Sequence, residues 1–391
     1  MNSFQFISLM RMIYGGKKLD IMKIQNMGLL AVKIGQVHAL RADFLKPEVC
    51  AELTKLYRAN LPVKREGLVK DVDMSSFSSF NSEPLAVASV GQVYEAELNN
   101  GDNVVVKLIK KDFAEGFKRD VKSLRKLLRF SVTVYPKLKR VFDPMGILEH
   151  IEEYTLRELD LRNEREGQEI LRKIYDENLE YFKKLNFGFP KIYTDLSSEK
   201  IMVSQKVSGK TFDELLDEGK LGYEKLLDFF RVHGFYLFKI GTFHGDIHPG
   251  NIMLDEDKIY FIDTGAISKV PYKLRQGLLM FFDALSSYDY NRCAEELHKM
   301  ADKKISDDKF IKFVANFNEL YSDFKGKTVA QISLTKRMME TIKMAVHAGM
   351  EFDKGMFGII KSLMFLDGMV LRCNPDAVLM EDMRPYINEF L

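Results

Sequence analysis

Tryptophan is absent from this chain of 391 residues, and cysteine is scarce, with only Cys50, Cys293 and Cys373. The three cysteines are far apart, odd in number and outside CxxC spacing, so we expect neither a disulfide framework nor a zinc site. An excess of one charge is also missing, because the formal net charge is only +2 and charged residues are spread along the chain. Nucleic-acid binding normally needs a basic patch, so no nucleic-acid partner is expected.

Long apolar runs are missing as well. The segment nearest to one, 356–371, is interrupted by Lys361 and Asp367 and falls short of the ~18 apolar residues of a membrane-spanning helix. No small-residue cleavage site follows the apolar N-terminal stretch, which argues against a secretory signal peptide. Together with the scattered cysteines, these absences predict a cytoplasmic protein that is not inserted into a membrane.

Residues 1–24 differ in character from the rest of the chain. They are rich in apolar residues and carry Arg11, Lys17 and Lys18 before the first acidic residue, Asp20. One interpretation is an amphipathic helix that lies peripherally on an anionic membrane surface. The other, which the pattern favours, is a helix packed against its own protein.

A β-rich region lies at 83–110, where two runs of strand-forming residues flank the turn sequence NNGD at 99–102. In the second run, the alternation of a strand places Val104 and Val106 on one face and Lys107 on the other, among apolar neighbours. A lysine alone at such a position would extend its head into water. Its place after a small-residue loop and a hairpin favours a functional role instead.

Helical patterns dominate the remainder. They cover 20–70, 112–130, 145–178, 211–243 and the chain from Pro271 onward. A strand is predicted at 199–207, and a hairpin is predicted from strands at 252–254 and 259–262. This order predicts an α+β fold with a small β-rich lobe, a connecting strand and a mostly helical lobe.

The segment HGDIHPGN at 244–251, followed by FIDTG at 261–265, is the most informative part of the sequence. Asp246 and Asn251 have the D-x-x-x-x-N spacing of kinase catalytic loops, and Asp263 ends a hairpin strand, as the magnesium-binding aspartate of D-F-G does. Phosphoryl transfer needs a residue that acts on the nucleophile and oxygen ligands for Mg²⁺. The alternative, a polar surface turn, is disfavoured because these residues occur together and in this order.

His244 and His248 have the i, i+4 spacing that can hold zinc on a helix. Pro249 and Gly250 argue against a helix at this point. We therefore expect a structural hydrogen-bonding role for His244 and no zinc.

Several motifs, in chain order, resemble those of the UbiB/AarF (ABC1-type) atypical kinase family. They are K-x-G-Q with Lys33, Gly35 and Gln36, the alanine-rich loop in EPLAVASVGQVYEAEL, the strand lysine Lys107 in VVVKL, E-x-D with Glu158 and Asp160, and finally HGDIHPGN with D-T-G. The resemblance is close over 28–265 and looser beyond. It implies a protein-kinase-like two-lobed fold with a helical extension at 1–75, an N-lobe at 76–207 and a helical C-lobe at 208–391.

The resemblance also implies ATP and Mg²⁺ as ligands. Lys107 would contact the nucleotide phosphates, Asn251 and Asp263 would bind Mg²⁺, and Asp246 would take the place of the catalytic base. The hinge from Gln205 to Val207 would meet adenine through its backbone. The loop over the nucleotide would consist of Ala86, Val87, Ala88, Ser89, Val90, Gly91 and Gln92.

A helix carboxylate is expected to hold Lys107, and the resemblance favours Glu164 with Glu158 as the alternative. On one continuous helix these two residues would lie about 240° apart, whereas Asp160 and Glu164 would share a face. K-x-G-Q is expected to cap the active site, to meet Glu158 and Asp160 and to exclude a protein substrate. Alanine at Lys33 or Gly35 should then alter phosphoryl-transfer selectivity and leave the fold intact.

Three positions depart from the family pattern: Thr264 replaces a phenylalanine, Gln205 a glutamate and Tyr94 a histidine. The expected function is an atypical kinase or ATPase with an unknown acceptor, either a lipid or a small molecule, coupled to isoprenoid lipid or quinone metabolism. Two alternatives stay open. One is a small-molecule kinase of the aminoglycoside or choline type, and the other is a nucleotide-binding scaffold without catalysis.

Overall fold

The structure, a computed structural model, describes residues 1–15, 19–39, 45–57, 64–110, 113–134, 144–353 and 355–391. Contacts divide the chain into two compact units. The first contains Met1–Arg165 and Pro190–Lys206, and the second contains Glu166–Phe189 and Val207–Leu391. The three-part division at residues 75 and 207 stays a prediction.

Helices come first in the chain, strands follow at 77–109, and helices dominate from Tyr272 onward, as predicted for an α+β fold. The helices are α1 (Ser3–Tyr14), α2 (Ile21–Asn26), α3 (Leu29–Ala39), α4 (Pro47–Thr54), α5 (Arg65–Leu68), α6 (Phe113–Val134), α7 (Pro144–Glu158), α8 (Arg162–Glu177), α9 (Leu179–Lys183), α10 (Phe212–Asp217), α11 (Tyr223–Gly234), α12 (Tyr272–Ser286), α13 (Tyr290–Met300), α14 (Asp307–Tyr321), α15 (Leu334–Ala348), α16 (Gly355–Cys373) and α17 (Leu379–Phe390). The strands are β1 (Phe77–Phe80), β2 (Ala86–Val87), β3 (Gly91–Leu98), β4 (Asn103–Ile109), β5 (Phe187–Gly188), β6 (Ile201–Gln205), β7 (Lys210–Thr211), β8 (Thr242–His244), β9 (Ile252–Asp255), β10 (Lys258–Phe261) and β11 (Ile267–Lys269).

Helix α1 buries one face and exposes the other. Leu9 and Ile13 are buried in the helical core of the first unit, whereas Phe4 is 85% exposed. The helix therefore packs on its own protein and still presents apolar surface to the outside. Lys17 and Lys18 lie outside the described residues. Within the described ranges, no helix has both the length and the apolar character needed to cross a bilayer.

The sheet of the first unit has the order β1-β3-β4-β6, and β2 pairs with the far end of β3. Its strands are antiparallel, so β4 lies between β3 and β6 with Lys107 flanked by Val93 and Met202. Val104 and Val106 are fully buried on the opposite face of β4. The predicted alternation of β4 is thus confirmed, and it sets the direction of Lys107.

The helical region predicted at 145–178 contains two helices with a break between them, which corrects the assumption of one continuous helix. Helix α7 ends at Glu158, and α8 begins at Arg162. Between them, Leu159 and Leu161 are buried, and the Leu161 N–H donates to the carbonyl oxygen of Glu199 at 2.8 Å. The Asp160 carboxylate accepts the Arg162 N–H at 3.1 Å, which stabilises the turn between the two helices. The premise that the three acidic residues of this segment lie on one continuous helix is therefore wrong.

In the second unit, β9 and β10 form the predicted hairpin, and they belong to a sheet of order β5-β10-β9-β7. Glu256 in the turn adopts φ 53°, a left-handed conformation that a tight turn requires. The single helix predicted at 211–243 is instead divided into α10, α11 and a π-helical segment, Phe235–Ile240. Gly219 after α10 has φ 64°, and Gly241 after the π-helical segment has φ 82°. These left-handed glycines end the helical segments.

The hairpin rests on an aromatic core. Phe261 of β10 is fully buried, with its ring 4.8 Å from that of Phe187 and 6.1 Å from that of Phe229. The Tyr236 hydroxyl, also buried here, donates to the carbonyl oxygen of Leu171 at 2.9 Å. This packing holds the two ends of the hairpin, from which the candidate site is built.

Candidate functional site

The loop after β8 is stabilised by its own histidines. His244 is buried, and its Nδ1 accepts the backbone N–H of Asp246 at 3.1 Å. His248 Nδ1 accepts the backbone N–H of Gly250 at 3.0 Å. Both side chains thus hold the loop backbone, and burial lowers the pKa of His244, which keeps its imidazole neutral. This geometry supports a structural role for His244.

Asn251 contacts Asp246 at two oxygen atoms, an arrangement called the Asn251–Asp246 clasp below. Its side-chain nitrogen donates to the Asp246 carbonyl oxygen at 2.9 Å and approaches the carboxylate oxygen Oδ2 at 3.4 Å. Because the amide nitrogen is used within the loop, the amide oxygen is the atom of Asn251 that suits a hard cation. The structure therefore brings Asp246 and Asn251 together as the kinase-loop spacing predicts.

Asp246 also has a cationic partner that the sequence did not reveal. Lys361 of α16 lies with its Nζ 2.7 Å from Asp246 Oδ1. Burial raises the pKa of Asp246, but the lysine more than offsets this effect, and the pKa falls to about 2. An aspartate of this kind is ionised at neutral pH and is a weak base. The only hint in the sequence is a charged residue within an otherwise apolar helical pattern.

Asp263 and Thr264 follow the hairpin directly. The Asp263 carboxylate accepts the Gly265 N–H at 3.3 Å, which bends the backbone after it. Thr264 is buried, and its carbonyl oxygen packs so closely on Gly167 of α8 that a Cβ at that glycine would collide with it. Packing of the segment is thus provided by a glycine contact instead of a phenylalanine. Gly167 was also missed by the sequence analysis.

In the first unit, two lysines each form an ion pair with a glutamate. Lys107 Nζ lies 2.5 Å from Glu164 Oε2, and Glu164 is 5% exposed. Lys33 forms an ion pair with Glu158. Of the two carboxylates considered for Lys107, the structure therefore places Glu164 against it.

The K-x-G-Q segment lies on α3 and is buried there. Gln36 donates through Nε2 to the carbonyl oxygen of Leu56 at 3.0 Å. A Cβ at Gly35 would overlap the buried Leu56 side chain. Alanine at Gly35 would thus require the end of the Leu56 side chain to shift, and the expectation that this change leaves the fold intact stays a prediction. Asp160, the other acid expected to meet this segment, is instead bonded to Arg162.

The alanine-rich loop is held by a hydrogen bond from Lys110, a residue that the sequence motifs did not single out. Lys110 donates to the carbonyl oxygen of Ala88 at 3.0 Å, and burial lowers the pKa of Lys110 to about 8. A Cβ at Gly91 would lie 2.6 Å from the carbonyl oxygen of Leu108, so only glycine fits there. Of the remaining loop residues, Ala86 and Val87 form β2, and Ser89 and Val90 lie in the bend that follows Ala88.

Two departures from the family pattern are accommodated in the same unit. Tyr94 is fully buried, and its hydroxyl accepts a hydrogen bond at 2.7 Å from Nε2 of Gln92. Gln205 ends β6 and is held through its backbone, because its N–H donates to the carbonyl oxygen of Lys191 at 2.8 Å. Val207, the last residue of the predicted hinge, belongs to the second unit.

Comparison with known proteins identifies this arrangement. A family model described as the ABC1 atypical kinase-like domain matches residues 62–297. That match covers more than half of the chain and includes Lys107, Glu164 and the whole of 244–265. The chain belongs to the ABC1 atypical kinase-like family. The family recognised from the motifs is thus confirmed, and Lys33 and Lys361 lie outside the matched residues.

Curated proteins from several bacteria are similar to this ABC1 kinase-like chain. A protein named "Uncharacterized protein in hydrogenase 1 5'region" from Clostridium pasteurianum is 27% identical, over 93% of this chain and 69% of its own length. Probable protein kinases UbiB from Sodalis glossinidius and Vibrio vulnificus are each 26% identical, over 96% and 94% of this chain. These two matches cover 70% and 69% of the lengths of the UbiB proteins.

A solved structure supports the fold of the ABC1 kinase-like chain. It is the complex of Rv3197 with erythromycin from Mycobacterium tuberculosis, which is 20% identical in sequence. The two structures match with a TM-score of 0.51 over 89% of this chain and 93% of the other. The predicted α+β, kinase-like fold class is confirmed.

Proposed function

We propose that this ABC1 kinase-like chain binds Mg-ATP and transfers or hydrolyses its γ-phosphoryl group. The observation that carries the proposal is the clasp of Asp246 by Asn251 at the loop that leads into the Asp263 hairpin. This clasp orients one carboxylate and leaves an amide oxygen and a second carboxylate for a cation. Such an arrangement suits phosphoryl transfer, which depends on positioning and charge stabilisation more than on a strong base.

Each charged residue has a stated role in the proposal. Lys107, held by Glu164, contacts the nucleotide phosphates. Asn251 and Asp263 hold Mg²⁺, whose charge would offset that of the phosphates, and hard oxygen ligands of this kind fit it. Asp246 orients the nucleophile. The loop Ala86 to Gln92 and the Gln205–Val207 backbone contact the remainder of the nucleotide.

The same bonds form and break with either acceptor. The nucleophile oxygen forms a bond to the γ-phosphorus, and the bond from that phosphorus to the β–γ bridging oxygen breaks, releasing ADP. The proton of the nucleophile leaves through Asp246 to water. With water as nucleophile the reaction is hydrolysis, and with a hydroxyl group it is transfer.

The experiment compares MgATP binding and ADP release in the parent and in three aspartate variants. Asp263→Asn should strongly weaken metal-dependent nucleotide binding, measured by titrated thermal shift. Asp246→Asn should lower kcat roughly 100-fold or more while nucleotide affinity changes little, because it acts on the nucleophile. Asp257→Asn, at an exposed carboxylate in the same hairpin turn, is the matched control.

Two outcomes would contradict the assignments. If Asp263→Asn bound MgATP as the parent does, the metal ligand would be wrong. If Asp246→Asn lost affinity and turnover equally, Asp246 would belong to the nucleotide-binding residues. Single-turnover ATP hydrolysis by the parent separates this function from that of a nucleotide-binding scaffold without chemistry.

The proposal includes a lipid or small-molecule acceptor, coupled to isoprenoid lipid metabolism, and peripheral contact with a membrane. The exposed face of α1 supports the contact, because Phe4, Ile7 and Arg11 lie at i, i+3 and i+7 and are exposed together. Cosedimentation with anionic and with neutral vesicles tests it. Phe4→Ser with Ile7→Ser should release the protein from anionic vesicles, and equal sedimentation of this variant and the parent would remove α1 from the proposal.

A further inference from the structure

The catalytic loop lacks a cation of its own. Residues 244–251 contain neither lysine nor arginine, and glycine, Gly245, precedes Asp246 where ordinary kinases have the arginine of H-R-D. The space there is small, because a Cβ at Gly245 would require the Ser268 hydroxyl to move. A lysine beside Asp246 comes instead from another part of the chain.

This lysine belongs to helix α16, one face of which packs against the loop. Gly358 packs on the same Ser268, and a Cβ there would lie 3.3 Å from Ser268 Oγ, so this glycine lets α16 approach β11 closely. One turn later, Lys361 reaches Asp246. One turn further on, the ring of Phe365 meets that of His248 edge to face, with their centroids 5.5 Å apart. These three residues, at i, i+3 and i+7, share the helix face that contacts the loop.

Contacts with Lys361 and Asn251 restrain the Asp246 carboxylate, one at each oxygen. Lys361 Nζ forms an ion pair with Oδ1 at 2.7 Å, and Asn251 Nδ2 approaches Oδ2 at 3.4 Å. The side chains of Lys361 and Asp246 are only 14% and 18% exposed, so solvent screens their attraction weakly. A carboxylate held in this way keeps one orientation toward a nucleophile without rearrangement during the reaction.

We propose that Lys361 is the positioning residue for Asp246 in phosphoryl transfer, and that α16 forms part of the catalytic site although it lies beyond the family-matched residues. This inference rests on the proposed function. Lys361 acts through the aspartate and neither gives nor takes a proton. Its removal should therefore change turnover and leave nucleotide affinity nearly unaltered.

A double-mutant cycle tests the inference on the full chain. Lys361→Met, Asp246→Asn and the combined variant are compared for kcat, KM for ATP, MgATP affinity and melting temperature. Lys361→Met should lower kcat roughly 10- to 100-fold, because small misplacements of reacting groups have effects of this size. In the Asp246→Asn background the same change should lower kcat by less than about 2-fold, since residues that act as a unit are not additive.

Two further variants separate positioning from general stability. Lys361→Arg keeps the positive charge and should recover a large part of the turnover. Arg372→Met removes ion pairs of the same helix with Asp213 and Asp217, distant from the loop in sequence and contact, and is the matched control. It should leave kcat within about 2-fold of the parent even if its melting temperature falls.

The outcomes distinguish the inference from the function on which it rests. A parent that releases no ADP overturns the proposed function and the inference with it. A parent that turns over ATP, with Lys361→Met equally active, overturns the inference alone. Independent, multiplying losses from Lys361→Met and Asp246→Asn, or an arginine variant no better than the methionine variant, would also overturn it.

Discussion

The lysine of K-x-G-Q and its partner differ greatly in exposure. In their ion pair, the Lys33 side chain is 6% exposed, whereas that of Glu158 is 26% exposed. A buried charge without a counter-charge is expensive, and the expense is smaller for a group that water reaches. The two halves of this pair should therefore not be equally tolerant of substitution.

We expect Glu158→Gln to destabilise the protein more than Lys33→Met does. The first leaves a deeply buried ammonium without its carboxylate and should lower the free energy of unfolding by about 3 kcal/mol. The second leaves a carboxylate that water can solvate and should lower it less. Denaturant titrations of both variants measure the difference, and a larger loss for Lys33→Met would contradict the burial argument.

A close glycine contact determines how α8 packs against the segment that follows the β9–β10 hairpin. Gly167 lies in the interior of α8, where glycine lowers helix stability by about 1 kcal/mol relative to alanine. It is needed because the helix backbone touches the carbonyl oxygen of Thr264. Packing at this point outweighs helix propensity.

Alanine at Gly167 and at Gly368 should therefore have opposite effects. Gly368, inside α16, has no atom within 4 Å of an added Cβ, so Gly368→Ala should raise stability by up to about 1 kcal/mol. Gly167→Ala should lower the melting temperature and the ADP-release rate, because α8 or the Thr264 backbone must move. Thermal melts and turnover of the two variants check this, and a more stable Gly167→Ala variant would show that the contact is not tight.

The second unit keeps a histidine pair neutral at its centre. His233 is 2% exposed, and within the described residues neither of its ring nitrogens makes a hydrogen bond. Burial lowers its pKa to about 3, assisted by the neighbouring His244. The unfolded chain binds this proton near pH 6.5, so stability is complete above that pH and is lost as the pH falls toward 3.

The molecule should thus lose about 2 kcal/mol of stability from His233 alone between pH 6.5 and pH 5. His244, whose pKa is lowered by the same kind of burial, adds to the loss. His233→Phe should reduce the dependence of the melting temperature on pH within this window. Equal pH dependence in the variant and the parent would show that His233 is not buried as a neutral imidazole.

At the scale of the whole molecule, the sequence by itself determined the elements whose pattern is local. The alternation of β4 directs Lys107 away from the core, and the hairpin after HGDIHPGN places Asp263 directly after its second strand. Both features are local, because period-two burial and turn chemistry act over a few residues. The motifs in order also determined the family. None of these conclusions needed a contact between distant parts of the chain.

Only the tertiary structure decided which charges and which backbones meet. The family resemblance favoured Glu164 over Glu158 for Lys107, but only the tertiary structure brings Glu164 and Lys107, 57 residues apart, into contact, and it pairs Glu158 with Lys33 instead. The pairing of Lys361 with Asp246 followed from glycine contacts at Ser268. Ion pairs and close approaches depend on how elements pack, and a linear pattern does not record the distance between residues far apart in sequence.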